Sequence, residues 1–271
     1  MCKILVVTGE TDRETAEKIL QISNERLRKS ERHGYGFLVT DGIQRAFGRY
    51  LNPESFSAFQ ANLPAWLTGP CLESGQMPEK PNVILTHGRT STNKVCVENV
   101  HPFQRNGDYL IHNGILDWIG KGEAPVALNG CDTESYLAWL QSNDEQYSEL
   151  NWAGYGAIFW LSKAGLKLIK CKDARLFACK REGSGWVFGT NADDVSALVH
   201  ETGLLVRNRP LPVPECVLTF DRQGEVSTHE NFIGFADRKF DQLAVESIGK
   251  FWSDGPPKHL AKKPRKSSKL F

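Results

Sequence analysis

The pattern of apolar and polar residues predicts many short strands separated by a few helices. The chain opens on an apolar run at residues 3–8, which is typical of a buried strand. Apolar residues then recur at helical spacing, which predicts an amphipathic helix over about 12–28. Thr11 and Glu14 have the spacing of a capping box at its start. One face of this helix is charged and is expected to face solvent.

Hairpin signals dominate the rest of the pattern. Asp41-Gly42, between two apolar runs, is typical of a hairpin turn. Further strands are predicted at 33–39, 43–51, 83–86, 108–112, 155–162, 165–171, 176–180, 186–190, 204–207 and 214–220. Further helices are predicted at about 52–62, 131–141 and 191–200, with Asp132 or Thr133 as the N-cap of the second. Because hairpins outnumber strand–helix–strand units, the sequence predicts an α+β fold with mainly antiparallel sheets.

Composition fits a globular protein with a sizeable core. The chain has 271 residues, of which 40% are hydrophobic and 24% charged. Its apolar stretches are of strand length, so neither a membrane-spanning helix nor a signal peptide is expected. The seven cysteines are scattered without a CxxC pair, which favours free thiols in a reducing cytoplasm over disulfides or a zinc module.

Charge is distributed unevenly along the chain. The net charge is +1, yet six Lys or Arg residues and no acidic residue follow Asp254. The body is therefore mildly acidic, which argues against nucleic-acid binding. We expect three regions, namely a main domain over 1–230, an extension over 231–254 that is a candidate docking segment, and a basic disordered tail over 255–271.

Cys2 becomes the first residue if the initiator methionine is removed. It then carries a thiol and a free α-amine, whose pKa of about 7.7–8.0 leaves a useful fraction unprotonated at neutral pH. Such an amine can accept the thiol proton, which is nucleophile activation by an adjacent base. Taken alone, a cysteine at position 2 is more often a small apolar residue that opens a strand.

Other candidate residues follow in a characteristic order. After Cys2 come the segments His87-Gly88-Arg89-Thr90-Ser91-Thr92, Glu98-Asn99-Val100-His101-Pro102-Phe103, His112-Asn113-Gly114 and Asp132-Thr133-Glu134. In order and spacing these segments resemble the class II glutamine amidotransferases, whose glutaminase domain is an N-terminal-nucleophile hydrolase. The resemblance covers about residues 1–200 and is greatest to the small stand-alone branch, which includes hydrolases of γ-glutamyl groups. It implies a four-layer αββα sandwich.

The resemblance also implies a role for each motif. Cys2 would attack the carboxamide of glutamine and form a γ-glutamyl thioester, which water then releases as glutamate. Asn113 and Gly114 would form the oxyanion hole. Arg89 would bind the substrate α-carboxylate, Asp132 its α-ammonium group, and Thr92 would supply a hydroxyl. Taken alone, Asn-Gly is a turn signal, Arg89 an ordinary surface arginine and Asp132 a helix N-cap.

The histidines indicate function less specifically than the residues above. His101 is expected to be structural and to pack its loop against the site. His87 and His112 flank strand ends, but their spacing fits no usual ligand pattern, so no metal is expected. No cofactor is expected either.

Three departures from the family pattern concern substrate preference. Lys3 stands where glycine often follows the nucleophile, Thr90 where an aromatic residue commonly follows the arginine, and Asn93 where His or Gly is frequent.

The sequence is compatible with three functions. The first is a glutaminase that hydrolyses glutamine or delivers ammonia; because few residues follow position 230, the acceptor is expected to be a separate synthetase or ligase. The second is a hydrolase of a γ-glutamyl amide larger than glutamine. The third is a non-catalytic binding protein in which the basic tail contacts RNA, DNA or an acidic partner.

Overall fold

Two antiparallel sheets form the centre of the protein. The structure is a computed structural model that describes residues 2–28, 33–50, 77–90, 97–118, 131–143, 152–171 and 173–230. The strands are β1 (Lys3–Thr8), β2 (Gly34–Thr40), β3 (Arg45–Tyr50), β4 (Val83–Arg89), β5 (Phe103–Arg105), β6 (Asp108–Trp118), β7 (Trp152–Ser162), β8 (Gly165–Lys170), β9 (Phe177–Lys180), β10 (Trp186–Gly189), β11 (Leu211–Pro212), β12 (Cys216–Phe220) and β13 (Val226–Glu230). Their order is β11-β9-β10-β1-β4-β2-β3 in the first sheet and β13-β12-β8-β7-β6-β5 in the second.

Helices cover the outer faces of the two sheets. They are α1 (Arg13–Arg28), α2 (Asp132–Ser142) and α3 (Ala192–Thr202), with a 3₁₀ turn at Val97–Asn99. Helices α1 and α3 share one apolar cluster with the first sheet, whereas α2 shares another with the second sheet. Between the sheets, the ring of Phe188 contacts those of Phe159 and Phe220. The predicted four-layer αββα sandwich with antiparallel sheets is therefore confirmed.

Side-chain alternation assigns each face of the central strand. Leu5 and Val7 belong to the cluster that α1 and α3 cover, so the alternate residues Ile4 and Val6 face the second sheet. On β6 the even-numbered residues Leu110 and Leu116 belong to the cluster under α2, so its odd-numbered residues face the first sheet. Side chains that meet between the sheets therefore come from even positions of β1 and odd positions of β6.

Both predicted caps at the first two helices are wrong. Helix α1 begins at Arg13, and Asp12 caps it by accepting the backbone N–H of Thr15 at 2.8 Å. The Thr11 hydroxyl instead donates to the carbonyl of Gly9 at 3.1 Å, so Thr11 and Glu14 form no capping box. The N-cap of α2 is Cys131, which makes no side-chain capping bond.

The strands of the structure also differ in part from those predicted. The strand at 108–112 continues to Trp118 as β6. Residues 204–207 form only an isolated bridge between Val206 and Arg181. The short strands β5 and β11 and the edge strand β13 were not predicted; the residues of β13 are mostly polar and exposed.

Several predictions lie outside the described residues. They are the helix at 52–62, the position of Thr92, and the regions 231–254 and 255–271. Among the helices that the structure describes, none is long and apolar enough to cross a membrane.

Candidate functional site

Cys2 lies at the start of the central strand of the first sheet. Strand β1 runs between β10 and β4, and its register pairs Lys3 with Gly88. Cys2 therefore lies beside the end of β4, where its thiol donates to the carbonyl oxygen of Thr90 at 3.5 Å. The side chain is half-buried, and alternation directs it toward the second sheet, like Ile4.

Arg89 is the last residue of β4 and is buried. Only 3% of it is exposed, so the reading of Arg89 as an ordinary surface arginine is wrong. It shares a face of β4 with His87, two residues earlier. A buried guanidinium is stabilised by pairing with an anion, so this position favours binding of a group such as a carboxylate.

Asn113 and Gly114 lie in the middle of β6 on the second sheet. Asn113 pairs with Ala157 and Gly114 with Gly156, so these two residues form no turn. Asn113 is 4% exposed and faces the first sheet. Its buried Oδ1 has no hydrogen-bond partner among the described residues. Rotation of the amide exchanges Oδ1 with Nδ2, so the same place can present an N–H donor.

The edge of β6 beside Gly114 is not covered by β5. That strand pairs only with residues Asp108 to Leu110. Farther along, the carbonyl of His112 accepts a hydrogen bond from His87 Nε2 at 3.0 Å, and the N–H of Leu116 donates to Asp132 Oδ2 at 3.0 Å. Since alternate residues of a strand direct their backbone groups to the same edge, Gly114 presents its N–H and C=O between these two bonds.

Glycine is required at this place for a steric reason. The His112 ring lies on the α2 side of β6, over Gly114 and its partner Gly156. A Cβ at Gly156 would lie 2.5 Å from His112 Nε2, and one at Gly114 would lie 2.0 Å from the Tyr155 carbonyl oxygen and 2.7 Å from His112 Nε2. The two glycines therefore make room for the ring and let β6 and β7 run side by side through the site.

His87, His101 and His112 form a buried cluster between the sheets and α2. The rings of His87 and His101 are 3.9 Å apart between centroids. His101 Nε2 and His112 Nδ1 lie 3.1 and 3.2 Å from the Thr133 hydroxyl. The bond from His87 to the His112 carbonyl joins β4 of the first sheet to β6 of the second. The cluster thus connects the strand that ends in Arg89 with the strand that carries Asn113.

Burial keeps this cluster neutral. Desolvation lowers the pKa of His87 to about 3. The pKa of His101 is lowered well below its usual value by burial and by the neighbouring His87, and burial lowers that of His112. Because a carbonyl only accepts, the neutral His87 must carry its proton on Nε2. No group of three or more metal-ligating side chains occurs in the described parts of the chain.

Asp132 joins the start of α2 to β6. Its Oδ1 accepts the N–H of Thr133 at 2.8 Å, and its Oδ2 accepts the N–H of Leu116 at 3.0 Å. As the first helical residue it is not the N-cap, but its negative charge lies at the positive end of the helix. Oδ1 also accepts from the Thr133 hydroxyl at 3.3 Å, so Oδ2 is the oxygen that can accept a further hydrogen bond from an ammonium group.

The sequence did not predict the connections that assemble the site. The structure places Cys2 beside the end of β4, whose last residue is Arg89, and it connects His87 to the strand of Asn113 and Gly114. His101 lies in the same cluster, and Asp132 lies at its far side. The available signal was the presence of histidine in three of the motifs, although sequence spacing does not show that these rings meet.

The comparisons with known proteins identify the fold. No protein-family model matches the sequence, and no curated protein matches it significantly. Among solved structures, a glutamine phosphoribosylpyrophosphate amidotransferase from B. subtilis, complexed with ADP and GMP, matches with a TM-score of 0.58 at 15% identity. A structure titled as the allosteric regulatory enzyme of purine biosynthesis matches with a TM-score of 0.57 at 15% identity. Each match covers 85% of this chain and 49% of the chain in the solved structure.

The chain therefore spans about half the length of these two structures. At this identity the likeness concerns the fold, and it agrees with the sheet order and helix layers described above. The chain shares the fold of these two solved structures, a sandwich of two antiparallel sheets covered by helices, as predicted from its sequence.

Proposed function

We propose that this protein is a glutaminase of the class II amidotransferase type, with Cys2 as its nucleophile. The observation that carries the proposal is the arrangement of Cys2 beside the buried Arg89, with the Asn113-Gly114 strand held opposite by His87. Cleavage of the γ-carboxamide of a free amino acid requires a nucleophile, a group that binds the α-carboxylate and N–H donors for the oxyanion.

In the proposed mechanism, removal of Met1 frees the α-amine of Cys2. The amine takes the thiol proton, directly or through a water, and the thiolate attacks the carboxamide carbon. Collapse of the tetrahedral intermediate breaks the C–N bond, and the departing nitrogen takes the proton and leaves as ammonia. Water then attacks the γ-glutamyl thioester, which releases glutamate and restores the thiol. If Met1 is retained, the base is missing and the mechanism fails.

The oxyanion of each tetrahedral intermediate is assigned to Asn113 and Gly114. The Asn113 amide is buried on the inner face of β6, and the Gly114 N–H points to the edge of β6 beyond the residues that β5 pairs with. Both donors belong to β6, which is held before and after them by the bonds of His112 to His87 and of Leu116 to Asp132. The strand therefore needs little reorganisation during the reaction. Loss of one such donor is expected to lower the rate by about 10²–10³.

Recognition of the free amino acid is assigned to Arg89 and Asp132. The Arg89 guanidinium would bind the α-carboxylate in a buried, bidentate contact. Asp132 would accept the α-ammonium group in addition to its two backbone bonds. Thr92, which follows Arg89 by three residues, would add a hydroxyl contact.

One observation favours the second candidate, a hydrolase of a larger γ-glutamyl amide. Ile115 pairs with Tyr155, two residues beyond the pair Asn113 and Ala157 on the same face of the sheet, and it is 44% exposed. The buried interior between the sheets therefore opens at this row onto an apolar and aromatic surface, about 7 Å from Asn113 along the strand. A leaving group larger than ammonia, and apolar in part, would contact that surface.

The fate of the ammonia is a separate part of the proposal. If it is used, a separate synthetase or ligase would receive it, and co-purification of such an enzyme with the full chain tests this. The basic segment 255–271 is assigned no part in catalysis. Its deletion is expected to leave the glutaminase rate unchanged, and a loss of activity would contradict this assignment.

The proposed function is tested by steady-state hydrolysis of L-glutamine, with release of glutamate and ammonia measured separately. We expect equal amounts of both products from the wild type, and none above background from the variant Cys2→Ala. L-Asparagine is the matched control substrate, since its carboxamide is one methylene nearer the groups that Arg89 and Asp132 would hold. Hydrolysis of a γ-glutamyl anilide but not of glutamine would favour the second candidate. Unchanged activity in Cys2→Ala would refute both.

A further inference from the structure

The residue after the candidate nucleophile is anchored to helix α3. Lys3 Nζ lies 3.1 Å from Asp194 Oδ2, and the two side chains are 24% and 11% exposed. Asp194 is the third residue of α3, where the helix dipole favours a negative charge. This contact joins residues 191 positions apart in the sequence.

A second set of bonds holds the next residue. Strand β10 pairs with β1 only at Leu5 to Val7. Beyond that point, the N–H of Ile4 donates to the Thr190 hydroxyl at 3.2 Å, and the N–H of Thr190 donates to the carbonyl of Ile4 at 3.1 Å. The segment between β10 and α3 therefore continues to hold β1 toward its first residue.

These anchors act on the part of the chain where disorder is otherwise expected. The first residues of a chain fray unless contacts hold them, whereas a nucleophile must keep its geometry to within about 0.5 Å. Successive side chains of a strand point to opposite faces, so fixing Lys3 toward α3 directs Cys2 toward the second sheet. The lysine side chain thus provides an outward anchor that glycine, frequent at this position in the related family, lacks.

We propose that Lys3 and Asp194 are positioning residues, whose ion pair fixes the orientation of Cys2 toward β6, the strand that carries Asn113 and Gly114. The inference rests on the proposed function, because it assumes that Cys2 is the nucleophile. It predicts that breaking the pair slows the reaction of the thiol while leaving substrate binding and the fold largely intact.

The test measures covalent labelling of the full chain by a diazo-ketone analogue of glutamine. For Lys3→Ala and Asp194→Asn we expect the maximal labelling rate to fall by at least about tenfold, because a displacement of 1 Å can cost about 100-fold. The half-saturating concentration should stay unchanged, and Tm should shift by no more than about 4 °C. Intact mass must show first that each variant has lost Met1.

Three further variants separate positioning from other effects. Lys3→Arg keeps the charge and should label within about threefold of the wild type. The double variant should be no slower than the slower single variant, because both changes break one interaction. Lys180→Ala is the matched control, since Lys180 and Glu225 form a similar pair at 3.2 Å with 21% and 30% exposure. It should label at the wild-type rate.

The outcomes distinguish this inference from the proposed function. Wild-type labelling rates in both single variants would overturn the positioning role alone. A rate loss that follows Tm, or that Lys180→Ala shares, would also overturn it. If the wild-type chain without Met1 takes up no label, the proposed function fails together with the inference. If Lys3→Ala does not fold, the comparison of Asp194→Asn with Lys3→Arg decides the question.

Discussion

Replacement of His87 by phenylalanine tests how the two sheets are held in register at the site. The change removes the N–H that donates to the His112 carbonyl at 3.0 Å but keeps an aromatic ring beside His101. Because His87 is fully buried, no water can easily replace the lost donor. The strand that carries Asn113 therefore loses its direct hydrogen bond to β4.

The magnitude follows from the carbonyl that is left without its donor. An unsatisfied buried acceptor costs about 1–3 kcal/mol, out of a free energy of unfolding of about 5–15 kcal/mol for a typical domain. The variant should thus fold, with a Tm lower by about 2–12 °C. If β6 moves by as little as 1 Å, kcat should fall by about 100-fold. KM should change less, since Arg89 and its strand stay in place.

The assay combines glutamine hydrolysis with thermal unfolding. His87→Gln is the matched control, because its amide N–H can reach the same carbonyl, and it should recover most of kcat. His101→Phe removes a neighbouring ring whose bond goes to Thr133, so it should lower kcat less than His87→Phe. Wild-type kcat in His87→Phe, or equal losses in all three variants, would refute this reasoning.

Three further predictions concern stability. The pKa of His87 is about 3 in the folded protein and 6.5 in a model peptide, so between these pH values the unfolded state binds a proton that the folded state does not. The free energy of unfolding should therefore fall below pH 6.5 by about 1.4 kcal/mol per pH unit for this residue, with added loss from His101 and His112. A free energy of unfolding, measured by denaturant titration, that is the same at pH 7 and pH 5 would contradict this prediction. Asp132→Asn removes one of two carboxylate acceptors for backbone N–H groups and should cost about 1–3 kcal/mol in the same titration, whereas unchanged stability would show that these bonds are replaceable. Gly156→Ala should lower the free energy of unfolding by about 1–3 kcal/mol, because the added Cβ would lie 2.5 Å from the His112 ring. The double variant with His112→Ala should lose less than the sum of the two single losses, and strict additivity would argue against the contact.

The sequence predicted the elements better than their connections. Apolar periodicity located β1, α1 and most hairpins, since both signals are local. The Asn113-Gly114 pair was misleading in isolation, because glycine after asparagine usually turns the chain. Here β6 continues through both residues, and a side chain at Gly114 would clash with the Tyr155 carbonyl of β7 and with the His112 ring.

The helix caps show the same limit. Thr11 and Glu14 have capping-box spacing, yet the neighbouring Asp12 performs the role. Asp132 was a reasonable cap for α2, but its carboxylate bonds to β6, and Cys131 holds the cap position instead. Local preference alone does not reveal that a side chain has a partner elsewhere in the fold.

The candidate site depends on contacts over long sequence separations. The bond between His87 and His112 spans 25 residues, and the pair of Lys3 and Asp194 spans 191. Motif order predicts that such residues meet only through resemblance to a known fold. It does not predict which atoms meet, or that Arg89 is buried.

The intact mass of the chain before and after exposure to the diazo-ketone analogue of glutamine tests the central claim most directly. We predict a chain that lacks Met1 and gains a single label. The label should be lost in Cys2→Ala and kept in Cys179→Ala, in which a buried thiol is removed. A chain that retains Met1 and takes up no label, or a label that persists in Cys2→Ala, would contradict the assignment of Cys2 as the nucleophile.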